Sequence, residues 1–242
     1  MSALGGESLR LGEFGWAQII APIALLSIVF GNMVALTQQD PKRMLAWSGV
    51  AHTGYLLLAL AAVGLTGSPA PLGAIVFYAL AYVLATGGAF GALSFLARTG
   101  GVPARWSDLD GLGHRHPWLA ACLSVFLLSS AGVPLTAGFI GKFLVFGSAI
   151  SAAGPTASDG GIGLFLLIAS VLGIAASVAG AWYYLRGVLH MYAREATPDT
   201  PEPQVTAGAK AVLVLAALAT LYLGVFPGSA FEMAGLAALL VP

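Results

Sequence analysis

One lysine stands apart from every other charge in this chain. Lys142 lies in the apolar run Ala131-Gly132-Val133-Pro134-Leu135-Thr136-Ala137-Gly138-Phe139-Ile140-Gly141-Lys142-Phe143, with no Asp or Glu within a dozen positions. An ammonium in hydrocarbon costs at least about 2.5–3.5 kcal/mol on insertion scales, so it is expected to face a bundle interior or a hydrated cavity. There a lysine poised between its charged and neutral forms can take up and release a proton. Snorkelling to a headgroup is the structural alternative. Apolar residues continue to Ile150, which favours the ion-handling reading. A second candidate is His52, in Trp47-Ser48-Gly49-Val50-Ala51-His52-Thr53-Gly54-Tyr55. Imidazole titrates near neutral pH and can relay protons. Ser48, His52 and Tyr55 are spaced i, i+4, i+7 and share one helix face, which could line a polar path. A helix–helix hydrogen bond explains the same pattern equally well. Thr136, beside Pro134, is a further candidate for the path.

The segment that carries Lys142 must be interrupted. From His116 to Ala152 it is too long for one straight crossing at about 1.5 Å per residue. Pro134 removes a backbone donor, and Gly132 and Gly138 loosen its flanks. Freed backbone groups survive at membrane depth only where protein or water satisfies them, and discontinuous helices of this kind mark ion sites in transporters.

The rest of the chain defines the setting. It has 242 residues, 58% hydrophobic and 8% charged, with ten basic and ten acidic side chains. Ordinary soluble domains are about 25% charged, so a water-soluble globule is excluded and an all-α polytopic membrane protein is expected. A chain of zero net charge has no basic face for nucleic acid. Six spans are read at about 16–37, 44–65, 72–97, 118–152 (discontinuous at Pro134), 162–192 and 209–227, within a single membrane domain over 1–242. A short amphipathic tail follows from residue 230. Asp40-Pro41, Gly67-Ser68-Pro69 and Gly101-Val102-Pro103 punctuate the loops. Loops one, three and five hold eight of the ten basic residues, and loops two and four hold none. The positive-inside rule puts the basic loops in the cytoplasm and both termini outside.

Other polar residues have plainer readings. Asn32, Thr37, Gln38 and Gln39 are expected at the interface closing the first span. Tyr183, Tyr184, Arg186, His190, Tyr192 and Arg194 read as an aromatic and basic belt at the cytoplasmic boundary. Asp108, Asp110, His114 and His116 lack a specific metal-ligand spacing, so no metal site is expected. Cys122 is alone, which leaves no disulfide. Without GxGxxG or a P-loop, no nucleotide or flavin site is expected. Glu7, Arg10 and Glu13 precede the first span, unlike a signal peptide's basic leader.

These motifs resemble a known family. Phe30-Gly31-Asn32-Met33-Val34-Ala35-Leu36, leading to Lys42-Arg43-Met44-Leu45-Ala46-Trp47-Ser48 and His52-Thr53-Gly54-Tyr55, is similar to the antiporter-like membrane subunits of respiratory complex I. The run Ala131-Gly132-Val133-Pro134 to Gly138-Phe139-Ile140-Gly141-Lys142-Phe143 is the most specific part. Tyr184-Leu185-Arg186 with Met191-Tyr192 resembles the subunit N branch of NADH-quinone oxidoreductase. The resemblance covers about residues 17–227. It implies a proton-translocating subunit of a bacterial inner-membrane NADH-quinone oxidoreductase, coupled to quinone reduction elsewhere in the complex. Lys142 would be a proton relay and His52 a second one. Other membrane-arm subunits and lipid would be the partners, with no cofactor and no redox chemistry on this chain. Subunits of multisubunit cation/proton antiporters share the central motifs and are the alternative, as is a non-pumping structural half-subunit. Family members carry two inverted helical repeats. This chain resembles the second, at about 17–193, plus the last helix at about 209–227. On this resemblance the chain is expected to be a fragment, the product of a split or mispredicted gene, or one half of a two-piece subunit. Trp47 and Gly49 stand where tyrosine and serine are more usual.

Overall fold

A proline and a carboxylate start the helix that carries His52. Asp40 accepts hydrogen bonds from the backbone N–H of Lys42 (2.7 Å) and Arg43 (3.3 Å). Pro41 takes the first helical position, where its missing donor costs nothing. The helix ends at Gly67, whose φ of 66° suits a left-handed cap. Such signals repeat along the chain. The computed structural model describes residues 15–96, 105–154, 161–196, 202–203 and 205–228. The expected tail from residue 230 and most of the fourth loop lie outside the described residues.

The helices are α1 (Trp16–Thr37), α2 (Pro41–Thr66), α3 (Ala70–Ser94), the short α4 (Leu112–Arg115), α5 (Pro117–Ala131), α6 (Ala137–Ala153), α7 (Gly161–Ala193) and α8 (Ala207–Val225). A 3-10 turn, Trp106–Leu109, precedes α4. No strand occurs among the described residues. Five helices are long and apolar enough to cross a membrane: α1, α2, α3, α7 and α8. The 15 residues of α5 and 17 of α6 would each reach only about 22–26 Å. Together they form the sixth, discontinuous crossing.

Burial follows the logic of lipid as solvent. Leu26, Phe143, Val178 and Leu215 point outward and are exposed, while Ser48, His52, Lys142, Ser177 and Thr220 are buried. Small residues let the helices approach: Ala21, Ala24 and Ala35 of α1 are buried, and α1 packs most extensively on α2. The long α7 turns a stripe of Gly173, Ser177, Gly180, Tyr184, Gly187 and Met191 inward at three- and four-residue spacing.

Candidate functional site

The break between α5 and α6 is built by hydrogen-bond accounting. A helix leaves its last four carbonyls without intrahelical donors. Gly132, at φ 86°, ends α5 in a left-handed cap. Its N–H bonds the Ser129 carbonyl, and the Val133 N–H reaches the Leu128 carbonyl, both at 3.0 Å. This is the Schellman pattern. It leaves the carbonyls of Ser130 and Ala131, and Lys142 takes both. Its Nζ donates to Ser130 O (2.8 Å), Ala131 O (3.0 Å) and the Ser177 hydroxyl (2.9 Å). All three ammonium donors are thereby used. The negative end of the α5 dipole adds to the attraction. The expected interruption is present, and its cause is more specific than Pro134 alone. Helix α5 stops at Ala131 because Gly132 turns left-handed, Pro134 lies in the connecting segment, and Leu135 takes φ 70°. On the far side, the Ser129 hydroxyl accepts from the Gly138 N–H at 3.0 Å and caps the start of α6. A Cβ on Gly138 would fall 1.9 Å from the Ser129 carbonyl oxygen, so this crossing requires glycine.

Lys142 also faces a cavity of about 480 Å³ that opens on the outer surface of the bundle. Its walls include Pro134, Phe139, Phe143, Ser177 and Val178. Snorkelling does not occur: Lys142 is 8% exposed and turns into the bundle.

His52 is buried among tyrosines. Its Nδ1 is 2.5 Å from the Tyr78 hydroxyl and its Nε2 is 2.9 Å from the Tyr184 hydroxyl. The Tyr82 ring stacks on the imidazole with centroids 4.7 Å apart. Ser48, His52 and Tyr55 share one buried face of α2, as their spacing predicts. Ser48 donates to the Leu45 carbonyl and meets the Tyr184 side chain. Tyr55 receives a hydrogen bond from Asn32 Nδ2 (3.2 Å) and also meets Ser177. Thr136 stands apart. It is buried, but its hydroxyl donates to the Val133 carbonyl at 2.6 Å, and its backbone packs against Gly224 of α8.

Two expectations are corrected. Asn32 is not at an interface but inside the bundle, 3% exposed, between Tyr55 and Tyr183. Tyr183 and Tyr184 are not belt residues; both are buried beside Asn32 and His52. Only their inward register on α7, continuing the stripe from Gly173 and Ser177, could have marked them in the sequence.

At the basic end of the bundle a second cluster closes the loop between α3 and α5. Asp110 pairs with His190 of α7 at 2.6 Å. The Trp106 indole donates to the Gln38 carbonyl (3.2 Å), which Arg186 also engages while stacking over Trp106. Asp108 caps the Arg105 N–H. Glu202 bonds Arg115 (3.0 Å) and His116 (2.7 Å), and these contacts hold its carboxyl below the usual range.

An all-α membrane bundle with one broken crossing and a saturated lysine at the break defines the class. Comparison with known proteins then gives the family. The family described as "NADH:quinone oxidoreductase/Mrp antiporter, TM" matches residues 10–181, and the chain belongs to it. NADH-quinone oxidoreductase subunit N 1 of Sorangium cellulosum is 38% identical over 236 residues, 97% of this chain and 44% of that protein. Subunit N 2 of Acidobacterium capsulatum is 42% identical over 227 residues, 93% of this chain and 43% of that protein. Among solved structures, a chain of respiratory complex I from Thermus thermophilus with bound aureothin superposes with TM-score 0.70 at 35% identity, over 88% of this chain and 44% of that one. A chain of the Mrp complex from Dietzia sp. shares the fold, with TM-score 0.72 at 20% identity, over 93% of this chain and 47% of that one. The chain spans less than half the length of these relatives.

Proposed function

We propose that the chain serves as a proton-translocating membrane-arm component of a NADH-quinone oxidoreductase, with Lys142 as its relay residue. The observation that carries this reading is Lys142 itself. It is a buried cation held by two helix-end carbonyls and a hydroxyl, with no carboxylate partner among the described residues. A charge held this way is sensitive to other charges, because a low-dielectric interior screens them weakly. Quinone reduction elsewhere in the complex would change those charges, and Lys142 would lose or regain its proton in response. His52 acts as a second proton-binding group. Tyr55 belongs to the polar surroundings of Lys142 and Ser48 to those of His52. Thr136 shapes the break rather than the path. The chain performs no redox chemistry and holds no cofactor.

The same reading treats residues 17–193 as the second antiporter-like repeat and 209–227 as the last helix, in one membrane domain. Other membrane-arm subunits cover part of the exposed apolar surface, and lipid covers the rest. The charge bias of the loops supports a multi-pass topology in a bacterial inner membrane, with Arg43, Arg105 and Arg186 at the cytoplasmic side and both termini outside. The fold shared with the Mrp complex supports a second reading, a subunit of a multisubunit cation/proton antiporter.

Inside-out membrane vesicles carrying the assembled complex test both. NADH-driven proton uptake that falls in Lys142→Ala while NADH oxidation by the complex persists supports the first reading. Uptake unchanged in that variant overturns it and leaves a structural role. Proton flux that needs added Na⁺ or K⁺ and no NADH supports the antiporter.

A further inference from the structure

Helix α8 ends against the backbone of the break. A Cβ at Gly224, in its last turn, would fall 2.4 Å from Thr136 Cα and C and 2.5 Å from the Leu135 carbonyl oxygen. These are main-chain atoms, which cannot turn aside as a long side chain does, so the contact admits only glycine. Thr136 is the residue that starts α6, and its carbonyl accepts from the N–H of Phe139 (3.2 Å) and Ile140 (3.4 Å). The start of α6 is thereby gripped from two sides. Gly138 presses on the Ser129 carbonyl of α5, and Thr136 presses on Gly224 of α8. Lys142 lies in the second turn of the same helix, so it follows any shift of that start.

The other end of α8 is anchored at the start of α5. Lys210 Nζ lies 5.0 Å from the Trp118 ring centroid, a cation–π contact. At about 1.5 Å per residue, Lys210 to Gly224 spans about 21 Å and Trp118 to Ala131 about 20 Å. Helix α8 therefore runs alongside α5 from its start and rests its end on the connection that follows. Leu213, Ala217, Thr220 and Gly224 form its buried stripe. The strain at Leu135 fits this arrangement. Its φ is 70°, and its side chain is exposed, so side-chain packing does not hold it there. Backbone strain of this kind persists only where the surroundings over-determine it. The close approach of α8 to the Leu135 carbonyl supplies that constraint.

We propose that α8 braces the break and that Gly224 is a positioning residue for Lys142. It acts through Thr136 rather than on the lysine directly. It holds the start of α6 where the ammonium reaches the Ser130 and Ala131 carbonyls and the Ser177 hydroxyl. The inference rests on Lys142 acting as a relay, as proposed above. Helix α8 brings no titratable group to that site. Its Lys210 lies at its other end, its Tyr222 is exposed, and it has no other ionisable side chain. The titratable neighbours of Lys142 are Tyr55, whose ring centroid lies 5.7 Å from Nζ, and His52, both from α2. Tyr78 of α3 and Tyr184 of α7 stand one step further, on His52. A change in the pH dependence of Lys142 caused by a substitution in α8 therefore reports the geometry of the break.

The test uses the same vesicles and reads NADH-driven proton uptake per assembled complex across pH. The chain's own share of uptake is the part that Lys142→Ala abolishes. Gly224→Ala should lower that share severalfold. It should also move the pH of half-maximal uptake by about half a unit or more, because the hydrogen-bond partners of a charged group set its titration. Gly208→Ala, on the same helix with open space around it, should leave both unchanged. Thr220→Ala loosens the buried stripe of α8 without pushing on the break, and should leave the pH profile in place. A Gly224→Ala variant with normal uptake, or with reduced uptake on an unmoved profile, overturns the proposal and leaves α8 as packing alone. A Thr220→Ala profile that moves as far does the same. Should Gly224→Ala fail to assemble, it is combined with Leu135→Gly, whose freer backbone lets the connection yield. The double variant should assemble, with a profile moved relative to Leu135→Gly alone. Failure to assemble there too means that something other than the connection rejects the methyl group, and an unmoved profile means that its effect does not reach the lysine. Either overturns the brace. Normal uptake in Lys142→Ala removes the parent reading and this inference with it. A defective Lys142→Ala beside an unmoved Gly224→Ala profile removes the inference alone.

Discussion

Lys142 Nζ stands 2.8 Å from the carbonyl oxygen of Ser130, a residue twelve positions earlier and on the other half of a broken helix. The side chain of a helical residue points toward the helix N-terminus, so a lysine near the start of α6 naturally reaches back to the end of α5. The break that costs the bundle two intrahelical partners is thus the feature that solvates its buried cation.

Loss of the lysine tests that solvation. Lys142→Ala removes the proton carrier and strands the two carbonyls. NADH-driven proton uptake through this chain should fall by about a hundredfold, the lower end of what a positioned acid–base group contributes. Far-ultraviolet circular dichroism of the purified complex should be unchanged, since the helices keep their own hydrogen bonds. Lys142→Arg should not rescue uptake, because a guanidinium does not give up its proton in proteins.

Ser177→Ala isolates the third ligand of the ammonium. Leaving a buried donor unpaired costs about 1–3 kcal/mol, more when it is charged. The purified complex should therefore unfold at lower temperature, and uptake should fall less than in Lys142→Ala, because the lysine and both carbonyls remain. Thr136→Val is its control. The Thr136 hydroxyl bonds only the nearby Val133 carbonyl among the described contacts, so uptake in that variant should stay close to the unsubstituted level.

The two sites were unequally legible in the sequence. The break, the lone lysine and the face shared by Ser48, His52 and Tyr55 could all be read from types and spacing within single segments. The partners of those residues could not. Tyr78, Ser177, Tyr183 and Tyr184 come from α3 and α7, and spacing along a helix does not say which neighbour it meets. Helices that are apolar all round make this worse, because lipid and core are equally oily and periodicity does not choose between them. The sequence places Asn32 and Tyr183 at an interface for that reason. Both lie in the cytoplasmic halves of their spans as read from the sequence, but they turn inward and bond to each other inside the bundle. Thr136 shows the converse limit, since a hydroxyl beside a break looks available until its local carbonyl acceptor is seen.

Acid should release the segment at Glu202, which lies outside the spans. Contact with His116, then Arg115, holds this carboxyl below its usual range. A depressed folded value means that the contribution is present above the unfolded value, about 4.3, and is lost as pH falls through the folded value. Hydrogen exchange around residues 202–206 should therefore rise only at pH below the ordinary carboxylate range. Glu202→Gln should show the faster exchange already at neutral pH. Unaltered exchange in that variant would mean that the Arg115 and His116 contacts do not hold the segment.

Substitution should act in opposite directions at two neighbouring residues. Gly132 and Leu135 both have positive φ, at 86° and 70°, and Leu135 is the only non-glycine residue to do so among those described. At Gly132 a Cβ would be strained by the backbone and would also lie 3.0 Å from Lys142 Cδ. Gly132→Ala should destabilise the protein by about 1–2 kcal/mol from the backbone alone. It should also lower proton uptake, because the lysine stem must move. At Leu135 the strain is already present and the side chain is 66% exposed, so glycine there removes a penalty and sacrifices little packing. Leu135→Gly should therefore be neutral or stabilising by up to about 1 kcal/mol, with uptake retained. Thermal unfolding of the purified complex reads the two signs directly. A stable Gly132→Ala variant with normal uptake would show that the left-handed turn does not set the position of Lys142.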